Sequence, residues 1–274
     1  MSALDDVFRR TSEDHRAALV GYLPAGFPNE RDGITALRAL VDAGVDVIEV
    51  GLPYSDPLMD GPTIQQAVDA ALRAGSTTAA VLRTVEAVAA TGAPTLVMTY
   101  WNPVERYGVE RFARDLAAAG GAGVITPDLL PEEAGDWLAA AGNHAIDPVF
   151  LVAPSSTDER IALTATVSKG FLYAASTMGV TGARAAVSST AADLVARAKR
   201  ATELPVAVGL GVSSGAQAAE VAAYADGVIV GSAFVRCLLD ADGIEVGVTA
   251  LQALAADCSD GVRSGRSEPV PRAR

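Results

Sequence analysis

The repeated alternation of short apolar runs with longer Ala- and Leu-rich segments most limits how this chain can fold. Eight runs have the length and composition of buried β-strands: Ala18–Leu23, Val47–Val50, Thr95–Met98, Gly123–Ile125, Pro148–Val152, Gly170–Ala174, Pro205–Val208 and Gly227–Val230. A helical segment follows nearly every run, and extra helices are predicted at Ala3–Glu13, Thr77–Ala90 and Ile244–Ala256. Eight strand–helix units in about 250 residues favour an α/β fold, the (β/α)8 TIM barrel with extra helices, over a doubly wound open sheet.

Composition and patterning indicate one domain without a nucleic-acid or membrane role. No linker divides the 274 residues, so residues 1–259 are predicted to form a single catalytic barrel domain and residues 260–274 a disordered tail. Twenty-one basic against 33 acidic residues give a formal net charge of −12, which argues against a nucleic-acid partner. No apolar run could span a bilayer, the N-terminus is too charged for a signal peptide, and two cysteines suit a reducing compartment. A cytoplasmic location is therefore expected.

Two carboxylates lie close together around the end of the second predicted strand. Glu49 shares a strand face with Val47, which we expect to point into the barrel, where desolvation would keep Glu49 protonated near neutral pH. The alternative is a structural Glu paired with an arginine or a hydroxyl. Asp60 follows eleven residues later in a loop stiffened by prolines, where a helix cap or turn residue is the alternative. Together the two acids predict an acid/base pair at one crevice.

Glycines follow the last three predicted strands, in Gly179–Gly182, Gly209–Gly215 and Gly231–Ser232. Their spacing is not that of a dinucleotide-binding loop, whereas the loops after strands seven and eight of a barrel often bind phosphate. Glycine lets backbone N–H groups approach an anion, a helix N-terminus attracts it, and Ser232 adds a hydroxyl. A phosphate site is predicted there, with plain tight turns as the alternative.

The chain offers few other catalytic groups. Its two lysines, Lys169 and Lys199, are not at the carboxyl ends of strands, which argues against Schiff-base chemistry. His15 and His144 suggest neither a Ser–His pair nor a metal site, so no metal is expected. Carbon–carbon bond chemistry would then depend on carboxylates and an electron-accepting substrate, with the Tyr173 hydroxyl at the end of strand six as a further group.

Several segments resemble, in order and spacing, the tryptophan synthase α-subunit family. They are Gly21–Pro28, Asp46–Gln65, Met98–Pro103, Thr126–Leu129, Phe171–Tyr173, Gly179–Gly182, Gly209–Gly211 and Gly231–Ser232. The resemblance covers nearly the whole chain. It implies a lyase of tryptophan biosynthesis, which cleaves indole-3-glycerol phosphate to indole and glyceraldehyde 3-phosphate in a retro-aldol reaction.

The resemblance also implies roles for individual residues. Glu49 resembles the acid that protonates indole C3 and then acts as the base for the glycerol hydroxyl. Asp60 resembles the carboxylate that takes up the indole N–H, and Tyr173 the tyrosine beside Glu49. Substrate- and phosphate-binding positions are matched by Tyr22, Tyr100, Thr181, Gly182, Leu210, Gly211, Gly231 and Ser232. Because protonation at C3 makes the ring an electron sink, neither a Schiff base nor a metal is needed.

By the same resemblance the chain is one part of a two-protein enzyme. The family passes indole to a β-subunit that carries pyridoxal phosphate, in an α2β2 heterotetramer, so no cofactor is expected in this chain. The loop Pro53–Asp60 is the expected partner contact, through Pro53, Asp56 and Pro57, and the loop Ser176–Ala191 the expected lid. The alternatives are a stand-alone lyase that releases free indole, a catalytically silent activating partner, or another phosphate-binding barrel such as an isomerase.

Three positions depart from the family pattern. Leu210 stands where many relatives carry Phe, Pro24 where Thr is common, and Thr177–Met178 where Arg- or Leu-containing variants occur. These residues belong to the expected pocket walls and the loop after strand six. Substrate affinity and loop closure are therefore expected to differ more than the type of reaction.

Overall fold

The strands form a closed parallel barrel. The computed structural model of the protein describes residues 1–175 and 184–265, and its strands pair in chain order until β8 closes onto β1. The strands are β1 (Ala18–Pro24), β2 (Val47–Gly51), β3 (Thr95–Met98), β4 (Gly123–Thr126), β5 (Asp147–Val152), β6 (Leu172–Ala175), β7 (Val206–Gly209) and β8 (Gly227–Val230). Because the last strand pairs with the first, the TIM-barrel prediction is confirmed and the open doubly wound sheet is excluded.

Helices surround the barrel. In the described ranges they are α1 (Ala3–Glu13), α2 (Glu30–Asp42), α3 (Pro62–Arg73), α4 (Thr78–Ala89), α5 (Trp101–Tyr107), α6 (Val109–Ala118), α7 (Gly135–Asn143), α8 (Asp158–Val167), α9 (Arg184–Ala201), α10 (Gly215–Ala222), α11 (Ser232–Leu239) and α12 (Ile244–Ser264), with a 3-10 turn at Pro131–Glu133. The helices α1, α2, α4, α8 and α10 begin with side-chain caps from Ser2, Asn29, Thr77, Thr157 and Ser214. By contrast, α3 and α11 begin at glycine without such a cap.

Two helices at the carboxyl end of the barrel differ from the sequence prediction. The helix α5 is not among the predicted helices, and it contains a proline. Pro103 lies in the first turn, where the backbone N–H has no intrahelical partner and proline is tolerated. The helix α9 begins at Arg184, so residues 184–191 of the expected lid are helical, which their Ala-rich sequence allows. The rest of that loop, residues 176–183, lies outside the described residues.

The C-terminal helix corrects the predicted domain boundary. The helix α12 continues to Ser264, five residues beyond the predicted end of the domain at residue 259. Cys258 and Val262 are fully buried, and Gly261 packs so closely on the backbone of Gly215 that a Cβ would overlap it. This packing holds the last turns of α12 on the barrel, while residues 266–274 lie outside the described residues.

The N-terminal end of the barrel is closed by α1. Leu4, Val7 and Phe8 join the cluster of inward-facing side chains, and the ring centroids of Phe8 and Phe171 are 5.4 Å apart. Each such buried apolar side chain stabilises the fold by about 1.5–3 kcal/mol. With this end filled, the carboxyl ends of the strands are left as the open end, where barrel enzymes carry their active sites.

Ion pairs secure the strand beginnings at the closed end. Asp46, directly before β2, accepts two hydrogen bonds from Arg16, at 2.7 and 2.8 Å, and one from the backbone N–H of Leu19 at 2.9 Å. The Nζ of Lys199 lies 3.0 Å from the carboxylate of Asp226, directly before β8. The side chain of Lys199 is thus engaged far from the open end, in line with its predicted absence from the site.

Candidate active site

Glu49 lies near the carboxyl end of β2, inside the barrel. The strand register places it beside Tyr22 of β1 and Leu96 of β3, and it is fully buried. Neither carboxylate oxygen has a hydrogen-bond partner among the residues that the structure describes, so the alternative of a paired structural Glu gains no support there. Burial raises the pKa of Glu49 to about 8, because water no longer stabilises the charged form. The carboxyl group is therefore predominantly protonated at neutral pH.

Two buried tyrosines accompany Glu49. Tyr22 of β1 is 7% exposed, and Tyr173 of β6 is 9% exposed. Burial raises the pKa of both hydroxyls well above the ordinary value, with further contributions from Asp60 and Glu49 at Tyr22 and from Glu49 at Tyr173. Both hydroxyls consequently keep their protons and can donate hydrogen bonds at neutral pH. The structure thus brings Glu49, Tyr22 and Tyr173 together at the open end.

Glycines at two strand ends make room for these tyrosine rings. A Cβ at Gly51 would overlap the ring of Tyr22, and a Cβ at Gly209 would lie 2.5 Å from the Tyr173 hydroxyl oxygen. This role of the two glycines was not predicted from the sequence. The available signal was a glycine as the last residue of β2 and of β7, each beside a strand that carries a tyrosine.

Asp60 is held at the same opening by Tyr100. The Tyr100 hydroxyl donates to Asp60 Oδ1 at 3.2 Å and accepts from the backbone N–H of Met59 at 2.9 Å. Partial burial raises the pKa of Asp60, and the hydrogen bond from Tyr100 acts in the opposite direction. The N-cap of α3 is Gly61, so Asp60 is not the helix cap that was its alternative. The charges of both predicted acids contribute to the raised pKa of Tyr22.

Tyr100 is itself fixed by its neighbours. Its ring lies 5.5 Å from that of Tyr54, centroid to centroid, and the Tyr54 hydroxyl accepts a 2.9 Å hydrogen bond from Asn102 Nδ2. The backbone N–H of Trp101 donates to Asp128 Oδ1 at 2.9 Å. The start of α5 is thereby joined to the loops after β2 and β4, which orients the hydroxyl that contacts Asp60.

The loop between β2 and α3 has a buried base and an exposed tip. Pro53, at the base of the loop, is buried, and its contact with a partner stays a prediction. Asp56 is exposed and Pro57 half-buried. Leu58 and Met59 are 78% and 52% exposed. The sequence analysis missed these two, although adjacent large apolar residues in a polar loop were a visible signal of a contact surface.

The described part of the predicted phosphate site lies after β7 and β8. Gly211 has φ of +69°, a conformation that favours glycine. Gly231 is the N-cap of α11 and Ser232 its first residue, with no side-chain cap in front of them. The first backbone N–H groups of α11 are therefore available to an anion. Thr181 and Gly182, predicted for the same site, lie outside the described residues.

A groove of about 840 Å³ borders the predicted phosphate site and the start of α3, and most of its lining comes from α11, α12 and the turn between them. Gly61 forms one part of its wall, and Gly211 and Ser232 form another. Leu210, the predicted indole neighbour, is half-buried directly before Gly211. The predicted phosphate-binding start of α11 thus opens onto a groove large enough for a small-molecule phosphate, while Asp60 and Glu49 are not part of its lining.

Comparison with known proteins agrees with this arrangement. The sequence model of the family described as Tryptophan synthase alpha chain matches residues 8–263. The chain belongs to this family. The tryptophan synthase alpha chain of Acidothermus cellulolyticus is 64% identical over 263 residues, which cover 96% of this chain and 98% of that protein. The one from Nocardia farcinica is 57% identical over 263 residues and covers 96% and 97%.

Solved tryptophan synthase structures share the fold. A chain of the Mycobacterium tuberculosis enzyme in space group F222 superposes with a TM-score of 0.89 at 56% identity, over 96% of this chain and 98% of that one. A chain of the aminoacrylate-bound form gives a TM-score of 0.88 at 53% identity, over 96% and 100%. Membership of the tryptophan synthase alpha family confirms the predicted lyase of indole-3-glycerol phosphate and its place in tryptophan biosynthesis.

Residues 1–175 and 184–265 contain neither a membrane-spanning helix nor a metal-binding cluster. No helix there has both the length and the hydropathy needed to cross a membrane. In that part of the chain, no three His, Cys, Asp or Glu side chains gather closely enough to hold a metal ion. His144 instead contacts Glu110 on the outside of the barrel, with 2.7 Å between Nε2 and Oε1.

Proposed function

We propose that this tryptophan synthase alpha chain cleaves indole-3-glycerol phosphate with Glu49 and Asp60 as its proton-transferring groups. The observation that carries the proposal is the state of Glu49: fully buried, without a partner in the described residues, and with a pKa of about 8. A protonated carboxyl group at neutral pH is the acid that the first step requires.

In the first step Glu49 gives its proton to indole C3. The ring becomes a positively charged indolenine, and Glu49 becomes a carboxylate. That carboxylate then takes the proton of the hydroxyl on the adjacent glycerol carbon, which forms the aldehyde as the carbon–carbon bond breaks. The electron pair of this bond returns to the ring, so indole and glyceraldehyde 3-phosphate leave with Glu49 protonated again.

Asp60 is assigned to the other side of the ring. Its carboxylate stabilises the positive charge of the indolenine by taking up the proton of the indole N–H. It returns this proton as indole forms. The hydrogen bond from Tyr100 opposes the rise in the Asp60 pKa, which favours the ionised form that this role needs. Positioned proton transfer contributes roughly 10²–10⁴-fold.

The remaining site residues are assigned to binding. The phosphate is held by backbone N–H groups at Gly211, Gly231 and Ser232 together with the Ser232 hydroxyl, and by Thr181 and Gly182 in the preceding loop. Leu210 and Tyr22 contact the indole, while Tyr173 donates toward Glu49 and the glycerol hydroxyls. These roles rest on the family resemblance and on the common position of the described members at the open end.

The partner we propose is a β-subunit that carries pyridoxal phosphate, in an α2β2 heterotetramer in the cytoplasm; this chain needs no cofactor of its own. The relatives of known structure are tryptophan synthases. The exposed Leu58 and Met59, beside Asp56 and Pro57, provide an apolar surface next to Asp60. A partner seated there would hold Asp60 in place, so we expect it to raise the lyase rate.

The test is indole release from indole-3-glycerol phosphate by the wild type, Glu49→Gln and Asp60→Asn, each with and without a β-subunit. We expect Glu49→Gln to lose at least about 10²-fold in turnover and Asp60→Asn about 10–10²-fold, with the wild-type rate raised by the β-subunit. Asp69→Asn, an exposed acid on α3, is the matched control and should retain wild-type turnover.

The outcomes separate the parts of the proposal. Wild-type turnover by both variants would show that these acids do not carry the proton transfers. No indole release by the wild type, alone or with the β-subunit, would leave the silent activating partner as the better description. Full activity without any response to a β-subunit would favour the stand-alone lyase.

A further inference from the structure

A hydrogen bond joins the phosphate-binding helix to the helix that follows Asp60. Arg236 Nη2 of α11 donates to Thr63 Oγ1 of α3 at 2.9 Å, across 173 positions of sequence. Arg236 lies one helical turn after Ser232, the predicted phosphate residue. Thr63 lies three residues after Asp60, in the first turn of α3. The bond therefore connects the helix that begins at the predicted phosphate site with the helix that follows Asp60.

The start of α3 lacks the side-chain cap that begins α1, α2, α4, α8 and α10. Its N-cap, Gly61, makes no side-chain cap, and a Cβ there would meet nothing within 4 Å. The contacts that hold the first turn include the bond from Arg236 and a 2.7 Å hydrogen bond from Gln65 Nε2 to the Asp60 carbonyl oxygen. Without Arg236, the anchoring of the segment that carries Asp60 would be weaker.

Arg236 and Thr63 also line the groove that borders the start of α3 and the predicted phosphate site. The same wall includes Gly211 and Ser232, so the guanidinium bridges the groove beside the predicted phosphate-binding helix start. The pKa of Asp60 is shifted by burial and by Tyr100, not chiefly by this guanidinium. Arg236 is thus suited to act on Asp60 through the position of α3 rather than through its charge.

We propose that Arg236 is a positioning residue, which couples the phosphate-binding start of α11 to the placement of Asp60 through Thr63. This inference rests on the proposed function. It assigns to Arg236 no contact with the reacting atoms. An anchored phosphate would hold α11, and α11 would hold the start of α3, so that binding at one end of the substrate orders the acid at the other.

The kinetic test uses Arg236→Met, which keeps much of the side-chain length but no donor, and Thr63→Val, which removes the acceptor at nearly constant shape. Each should lower kcat/KM for indole-3-glycerol phosphate about three- to tenfold, the size expected for one lost hydrogen bond. The double variant should lose no more than either single one. Arg236→Lys should recover part of the loss, and Arg73→Met, an exposed arginine at the other end of α3, should match the wild type.

Introducing Arg236→Met into the Asp60→Asn variant distinguishes a positioning role of Arg236 from a purely structural one. There Arg236→Met should have less than about a twofold further effect, because there is no longer a carboxylate to position. Independent losses, that is, additive effects in the double variant or the full loss by Arg236→Met in Asp60→Asn, would overturn the inference.

Hydrogen exchange gives a readout that needs no turnover. Residues 58–65 should exchange faster in Arg236→Met and Thr63→Val than in the wild type or Arg73→Met. Saturating inorganic phosphate, the probe for the α11 site, should slow this exchange in the wild type and clearly less in the two variants. Unchanged exchange in both variants, or equal protection by phosphate, would overturn the coupling while wild-type indole release still supported the proposed function. Failure of the wild type to release indole would count against the proposed function instead.

Discussion

Asp46, directly before β2, and Glu49, within β2, are only three residues apart, yet their surroundings are opposite. Asp46, at the closed end of the barrel, accepts three hydrogen bonds from Arg16 and the Leu19 backbone. Glu49, toward the open end, is completely buried and has no partner in the described part of the chain. The hydrogen bonds to Asp46 offset the cost of removing its carboxylate from water, whereas nothing in the described residues offsets that cost for Glu49.

The difference separates stability from chemistry along one strand. A carboxylate that accepts three hydrogen bonds is held in one geometry and helps to fix the strand beside it. An unpaired buried carboxyl group retains its proton at neutral pH and can give it away, at a cost to the fold. The comparison predicts that equivalent amide substitutions at the two positions have opposite consequences for activity and for stability.

Turnover should show the largest contrast. Glu49→Gln removes the transferable proton and should lower kcat for indole release by about 10²–10⁴-fold. Asp46→Asn, at the other end of β2, should stay within about twofold of the wild type while the protein is folded, because Asp46 contacts no part of the site. Steady-state assays of the two purified variants measure this; equal losses would remove the distinction between the two ends of the strand.

Stability should change in the opposite order. Asp46→Asn weakens the contacts with Arg16, whose guanidinium is left less than fully paired with only 14% of its side chain exposed. We expect the free energy of unfolding to fall by about 2 kcal/mol. Urea denaturation at pH 7 measures this change. A fully stable Asp46→Asn would show that the pair does not contribute to holding β2.

The pH dependence of stability should sharpen the comparison at Glu49. Its pKa is about 8 in the folded protein, against an ordinary value of 4.5. Between these values the folded state binds a proton that the unfolded state has lost, so stability falls as pH rises. Gln does not titrate, and Glu49→Gln should therefore be more stable than the wild type at pH 7, by up to about 3 kcal/mol. Wild type and variant with parallel stability curves from pH 5 to pH 8 would argue against a buried neutral Glu49.

Tyr100→Phe should give the smallest effect. The variant loses the hydrogen bond that lowers the pKa of Asp60, so Asp60 is ionised only at higher pH. We expect about a fivefold loss of kcat/KM at neutral pH and a shift of the acid side of its pH profile to higher pH. A profile that keeps its acid limb in place would indicate that Tyr100 orients Asp60 without affecting its ionisation.

Features that depend on a local residue pattern could be predicted from the sequence. Contacts between residues far apart in the chain could not. A polar residue in an apolar strand indicated Glu49, and the apolar runs gave the strands within one or two residues. The clearance of Gly51 for Tyr22 and the bond between Arg236 and Thr63 join different elements. Such contacts depend on barrel register and helix packing, which no local pattern contains. The burial of Pro53 could not be predicted for the same reason, since it is a tertiary property.

The ionisation of Glu49 itself tests the central claim most directly. Infrared difference spectra of the wild type against Glu49→Gln, recorded across a pH titration without substrate, isolate the carbonyl band of this one protonated carboxyl group. We predict that the band is present at pH 6 and disappears around pH 8, in step with the raised pKa. Absence of the band at pH 6, with a carboxylate signal in its place, would contradict the account.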